Sequence, residues 1–225
     1  MRSLKSGAVW PARIPRRLHP LLQLVWPGTI WSTEASEAIH LTFDDGPTPG
    51  ITLWVLECLQ EHNMTATFFV IGRNAGNHPE LLRSIVNQGH ALGAHTMEHE
   101  HGWRTSTLDY VQSAKNSLLT VGRNQGLFRP PFGKLTRAQA KSLARLARIV
   151  MWDVLSGDYA ATGEDGANRV LARLKSNTRP GSIVVFHDSL KCQEVLMQVL
   201  PAYLAWLHSQ GWTSVRLEGN VPAEN

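Results

Sequence analysis

Six short apolar runs alternate with segments of helical periodicity, and this alternation narrows the fold more than any other feature of the chain. The runs are AIHLTF (38–43), ATFFVIG (66–72), HALGAHT (90–96), RIVMWDV (148–154), GSIVVFH (181–187) and WTSVRL (212–217). Most are rich in β-branched or aromatic residues, and all are too short for helices that pack alone. Between them, ITLWVLECLQEH starts a helix at residue 51. The next is expected to be capped by Asn77, with Pro79 near its start and Gly89 just past its end. Further helices are expected over about 106–121, from Thr136 through AQAKSLARLA, between the runs at 148 and 181, and from Glu194 to His208. Strands and helices in this order build a parallel sheet, open or rolled into a barrel.

In such folds chemistry gathers at the C-terminal ends of the strands. Four polar groups end the expected strands: Asp44 with Asp45, His95, Asp153 with Asp158 beyond it, and His187 with Asp188. Parallel strands would bring all four to one rim. His95 and His99 stand four apart in HTMEH, the spacing that places two imidazoles on one helical face, with His101 directed off it. A carboxylate from another strand would complete a two-histidine, one-carboxylate metal set.

Asp44 and Asp45 are adjacent carboxylates and repel, which a dication would offset. One would then bind the metal while its neighbour takes a proton from water. The plain alternative for Asp-Asp-Gly-Pro is a turn that caps the following helix. Arg129 could likewise cap a strand end, Asp158 start a turn, and His187 be a satisfied core histidine.

TFDDGP at 42–47 resembles the first signature of the polysaccharide deacetylases, the NodB-homology domain of carbohydrate esterase family 4. The resemblance continues in order through HTMEH (95–99), RPPFG (129–133), WDVLSGDY (152–159) and IVVFHD (183–188). It implies a distorted, incomplete (β/α) barrel. It also implies that Asp45, His95 and His99 hold one divalent metal, usually zinc, with cobalt, nickel or manganese as substitutes.

By the same resemblance Asp44 is the base that activates water, paired with Arg129, and His187 is the acid that protonates the leaving amine, oriented by Asp158. A backbone N–H near Phe132 would help hold the oxyanion. The implied substrate is an N-acetylated sugar: chitin oligomer, peptidoglycan or a related glycan. An O-acetyl esterase, a deformylase acting on a sugar or lipid-linked sugar, or a non-catalytic carbohydrate-binding domain are the alternatives. Two positions depart from the usual pattern, Tyr159 where tryptophan is common and Phe132 where tyrosine is frequent.

The net charge of +4 is concentrated at one end. Arg2, Lys5, Arg13, Arg16 and Arg17 fall within residues 1–33, which contain no acid, and the remainder is close to neutral. The basicity therefore marks an arm and not a nucleic-acid-binding face, and no nucleic-acid motif accompanies it. The expected organisation is an arm at 1–35 packed on or beside the domain, a catalytic domain at 36–220 and a tail at 221–225. LLQLVWPGTIW in the arm is too short and interrupted for a membrane span or a signal peptide. The expected compartment is the cytoplasm, with the cell envelope as the alternative.

Peripheral membrane contact through Arg16, Arg17, Trp26 and Trp31 stands against packing of the arm across the domain. The stripe Arg137, Lys141, Arg145 and Arg148 reads as a solvated helix face, or else as an anion site. Cys58 and Cys192 are too few for a disulfide framework and read as small core residues. The oligomeric state is open.

Overall fold

The computed structural model describes residues 10–34, 38–122 and 126–219. Residues 1–9 of the expected arm and the whole expected tail lie outside them. The strands are β1 (Thr29–Ile30), β2 (Ala38–Asp44), β3 (Ala66–Val70), β4 (Ala91–Ala94), β5 (Leu127–Phe128), β6 (Arg148–Val150), β7 (Val154–Leu155), β8 (Ile183–His187) and β9 (Thr213–Ser214). The helices are α1 (His19–Val25), α2 (Ile51–Glu61), α3 (Gly72–Asn77), α4 (Pro79–Asn87), α5 (Thr107–Val121), α6 (Arg137–Leu143), α7 (Gly163–Asn177) and α8 (Gln193–Ser209). All strand pairs are parallel, in the order β1-β6-β5-β4-β3-β2-β8-β7, with β9 beside β2.

That order forces curvature. β6 and β7 are six strand positions apart, which in a flat sheet would separate them by about 29 Å. Only Met151, Trp152 and Asp153 connect them, a link that spans at most about 14 Å. The sheet therefore rolls until its edges nearly meet, giving the distorted, incomplete (β/α) barrel.

Alternation along each strand sorts side chains between two cores. On β2, Ile39, Leu41 and Phe43 face the helices, where Phe43 stacks on Phe68 of β3 and Phe186 of β8 at 5.1 and 5.8 Å. The lumen core is separate and holds Phe69, Leu127, Val150, Trp152, Leu155 and Val185. Thr42, Asp44 and His187 share the phase of the lumen-facing residues, so strand periodicity delivers polar groups to the lumen's mouth.

Residues 10–34 close the gap between the edges. Arg13 bridges Val154 and Ser32 bridges Ser182, both antiparallel, while β1 extends the sheet beside β6. Ile14 and Trp31 are buried in the lumen core, with Trp10, Leu22 and Trp26 packed against it. Trp26 also donates its Nε1–H to Leu135 O at 2.6 Å, so both tryptophans face inward rather than out to a membrane.

Several local expectations change. RIVMWDV is not one strand but β6 and the start of β7, six positions apart in the sheet, because the three-residue link between them leaves it. Asp153 in that link consequently misses the catalytic rim. It accepts from Ile183 N and Ser182 Oγ at the start of β8, the opposite end of the barrel. Asn77 ends α3 instead of capping α4, whose N-cap is His78.

The helix at 136 opens on a full capping box between Thr136 and Gln139 but stops at Leu143. Arg148 then belongs to β6, and the basic stripe is shorter than its sequence spacing suggests. Of WTSVRL only Thr213–Ser214 is strand. Both cysteines are free and buried. Among the described residues no helix is long and apolar enough to cross a membrane.

Candidate active site

A cleft of about 490 Å³ opens where β2, β4 and β8 end. Asp44, Asp45, His95, His99 and His187 border it on one side, and Trp10, Phe132, Trp152, Leu155 and Tyr159 supply aromatic and aliphatic walls. Lys134 and Lys191 also line it.

Asp44 is the last residue of β2 and is almost fully buried. Arg129, completely buried, meets Asp44 Oδ1 at 2.7 Å through Nη1. The same guanidinium donates to Thr42 Oγ1 (2.7 Å), Val150 O (3.2 Å) and Met151 O (3.1 Å), and lies over the Phe69 ring at 4.1 Å. Burial lowers the Arg129 pKa, opposed by the Asp44 carboxylate. A cation so enclosed is tolerable because its N–H groups find acceptors and its charge finds Asp44. The consequence is a carboxylate fixed in one orientation at the cleft.

Asp45 turns the opposite way. Its φ of 78° is left-handed, which reverses the chain and aims its carboxylate at the histidines after β4. Oδ1 lies 3.1 Å from His99 Nε2 and 3.6 Å from His95 Nε2, and it is buried without a hydrogen-bond partner. Burial pushes the Asp45 carboxyl up, but the His99, His187 and His95 imidazoles outweigh it and hold it well below the usual carboxylate range.

HTMEH is not helical, contrary to the expectation from its spacing. His95 and His99 converge because Thr96 (φ 60°) and His99 (φ 58°) are left-handed and fold the segment back on itself. His101, expected to point away, also borders the cleft, with its ring 5.2 Å from Phe132.

This arrangement fits a metal ion. One donor atom each from Asp45, His95 and His99 lie within 4.8 Å of one another. His95 Nδ1 is 2.8 Å from Arg129 O, an atom that can only accept, so Nδ1 carries the hydrogen and Nε2 presents its lone pair beside Asp45. Burial holds the His95 pKa down at about 4, which keeps that ring neutral and able to ligate. An orphaned carboxylate oxygen between two imidazoles is the donor set of a zinc-type site.

Across the cleft, β8 ends at His187. Asp158 binds it twice, accepting from Nδ1 through Oδ1 and from the backbone N–H through Oδ2, both at 2.8 Å. Burial lowers the imidazole pKa, but the Asp158 carboxylate, aided by Asp45 and Asp44, raises it to about 9. Asp158 therefore favours the imidazolium form of His187, and because it engages Nδ1, Nε2 is the ring nitrogen left to serve the cleft. Tyr159 sets its ring against it at 5.4 Å.

Asp188, left outside the expected catalytic set, is completely buried behind the two aspartates. Its carboxylate accepts from Gly46 N (3.1 Å) and Thr52 Oγ1 (2.6 Å), and its own N–H donates to Asp44 O. It ties the ends of β2 and β8 together. Trp10 and Lys134 were not anticipated at all. Trp10 reaches the cleft from far away in sequence and donates to Phe132 O at 3.0 Å, a contact that strand spacing cannot reveal.

Residues 32–149 match a family described as polysaccharide deacetylase. A chitooligosaccharide deacetylase of Azorhizobium caulinodans is 34% identical over 172 residues, covering 73% of this chain and 80% of that protein. The peptidoglycan-N-acetylglucosamine deacetylase PgdA of Listeria monocytogenes is 29% identical over 189 residues, 82% of this chain but only 39% of PgdA. Among solved structures, the Bc1960 peptidoglycan N-acetylglucosamine deacetylase superposes with a TM-score of 0.80 at 25% identity, covering 89% of this chain and 95% of that one.

Proposed function

The chain belongs to the polysaccharide deacetylase family, and from that premise we propose that it is a metal-dependent hydrolase that removes N-acetyl groups from an N-acetylated sugar. The relatives' names point to chitin oligomers or peptidoglycan as the substrate class. Asp45, His95 and His99 would hold one divalent ion, zinc by the chemistry of its donors. When bound, such an ion lowers the pKa of water and polarises an acyl carbonyl.

The chain's own groups handle the protons. Asp44, kept in place by Arg129, takes the proton of the attacking water as its oxygen bonds to the acyl carbon. The amide C–N bond then breaks, and the nitrogen receives the Nε2 proton of His187. The products are a free amine and acetate. An amine leaves poorly as an anion, so an imidazolium already charged by Asp158 is the useful form of the acid. The aromatic walls of Trp10, Phe132, Trp152 and Tyr159 suit the apolar face of a pyranose ring.

One observation carries this reading. Two proton-handling groups, each oriented by its own buried partner, flank a buried carboxylate oxygen that faces two imidazoles. Metal content and turnover measured on the same samples test it. Asp44→Asn should retain the ion and lose turnover, whereas Asp45→Asn and His99→Ala should lose both. Loss of the ion in Asp44→Asn would exchange the roles of the two aspartates, and a wild-type chain with no affinity for zinc, cobalt, nickel or manganese would overturn the reading.

A further inference from the structure

Helix α1 is apolar on both faces, and only one of them is used. His19, Leu22 and Trp26 turn inward, where Leu22 and Trp26 pack against the lumen core. On the opposite side Leu18, Leu21, Leu24 and Val25 are 39%, 58%, 68% and 48% exposed. Their spacing of three and four makes them one continuous ridge. A surface helix ordinarily presents charged residues there, so a ridge of three leucines and a valine calls for a partner.

The ridge is framed by cations. Arg17 is exposed beside Leu18. Arg137 at the start of α6 donates through Nη1 to Leu24 O at 2.7 Å, which ties the end of α1 to the start of α6. Gly28, just past α1, lies so close to Ala144 that a Cβ there would come within 2.6 Å of the Ala144 methyl. Lys141 and Arg145 are exposed on the same helix and the turn that follows it, where Leu146 is also 39% exposed. No acid occurs in residues 10–33 or 134–148.

We propose that the ridge of α1, flanked by Arg17, Arg137, Lys141 and Arg145, docks the protein on a bilayer surface that carries anionic headgroups. The leucines enter the headgroup–acyl boundary while the cations meet lipid phosphates, the division of labour of interfacial helices. An acid-free setting favours this occupant over a second copy, since a two-fold contact would bring these like charges together. The docking is independent of the deacetylase reading, because binding requires no turnover.

Vesicle co-sedimentation of the full chain tests the proposal. Vesicles of phosphatidylglycerol and phosphatidylcholine should retain the protein at low salt, and pure phosphatidylcholine should not. Leu21→Ser with Leu24→Ser should abolish retention, and Lys141→Glu with Arg145→Glu should weaken it about tenfold or more. Raising the salt should mimic the charge reversal. Both double variants should keep the wild-type melting temperature and wild-type hydrolysis of a soluble substrate. Absence of retention on anionic vesicles, or unchanged retention in the serine variant, would overturn it. So would a wild-type dimer in light scattering that the serine variant converts to monomer without any vesicle binding, which would assign the ridge to a second copy.

Discussion

At the scale of single residues, the candidate site is two buried charge pairs arranged around the cluster of Asp45, His95 and His99. Arg129 is the costliest to remove, because its loss strands the Asp44 carboxylate in the lumen. Arg129→Ala should lower stability by about 3–5 kcal/mol in urea unfolding, far more than an exposed ion pair would. The Asp158–His187 pair sets a pH dependence. His187 is raised above its ordinary 6.5 to about 9 in the folded state, so the pair's contribution to stability is complete below about pH 6.5 and is lost as pH rises through about 9. With His187 as the proposed acid, the same shift places the alkaline limb of the pH profile. In Asp158→Asn the carboxylate that raises the imidazole pKa is gone, so the alkaline limb of kcat/KM should move to lower pH. A limb unmoved in that variant would remove His187 from the acid role.

At the scale of elements, the strand ends are precise because neighbouring backbones leave no slack. A Cβ on Gly46, the residue after Asp45, would fall 2.2 Å from Asp188 Oδ2. Gly46→Ala should therefore displace the β2–α2 turn, costing about 1–3 kcal/mol of stability and reducing kcat along with metal affinity, read by thermal melts and metal titration. The longer strands and helices were legible because their periodicities are strong: β2, α2, α5, β8 and α8 fall within a residue or two of expectation, whereas the two-residue β1 and β5 were not foreseen. α3 and the split of RIVMWDV were not legible. GRNAGN has no apolar face to betray a helix, and the break after Val150 arises where the chain crosses from β6 to β7, a closure that exists only in the assembled sheet. The two histidines of HTMEH do converge, but not on the helical face their spacing suggested. Left-handed backbone at Thr96 and His99, rather than a helical face, brings the imidazoles together.

At the scale of the whole molecule, residues 10–34 are part of the barrel. They supply β1 and fill the lumen with Ile14 and Trp31, and each such side chain contributes about 1.5–3 kcal/mol of burial. A chain beginning at Glu34 should accordingly bind a hydrophobic dye and lose its cooperative melt. The basic composition of this segment was visible in the sequence, but its role as a plug was not, since nothing local pairs Arg13 with Val154 or Trp10 with Phe132. What the assembled barrel does is bring Asp44, His187 and the Asp45, His95 and His99 cluster to one cleft, and the central proposal is that they serve there as base, acid and metal ligands. It is tested most directly by incubating the zinc-loaded protein with chitin oligomers, peptidoglycan fragments, acetylated xylan and formylated aminosugars, and quantifying released acetate and formate. Acetate should appear from an N-acetylated sugar and vanish in Asp44→Asn. Release only from the xylan or the formylated sugars, equal release by Asp44→Asn, or no release with zinc demonstrably bound would contradict the account.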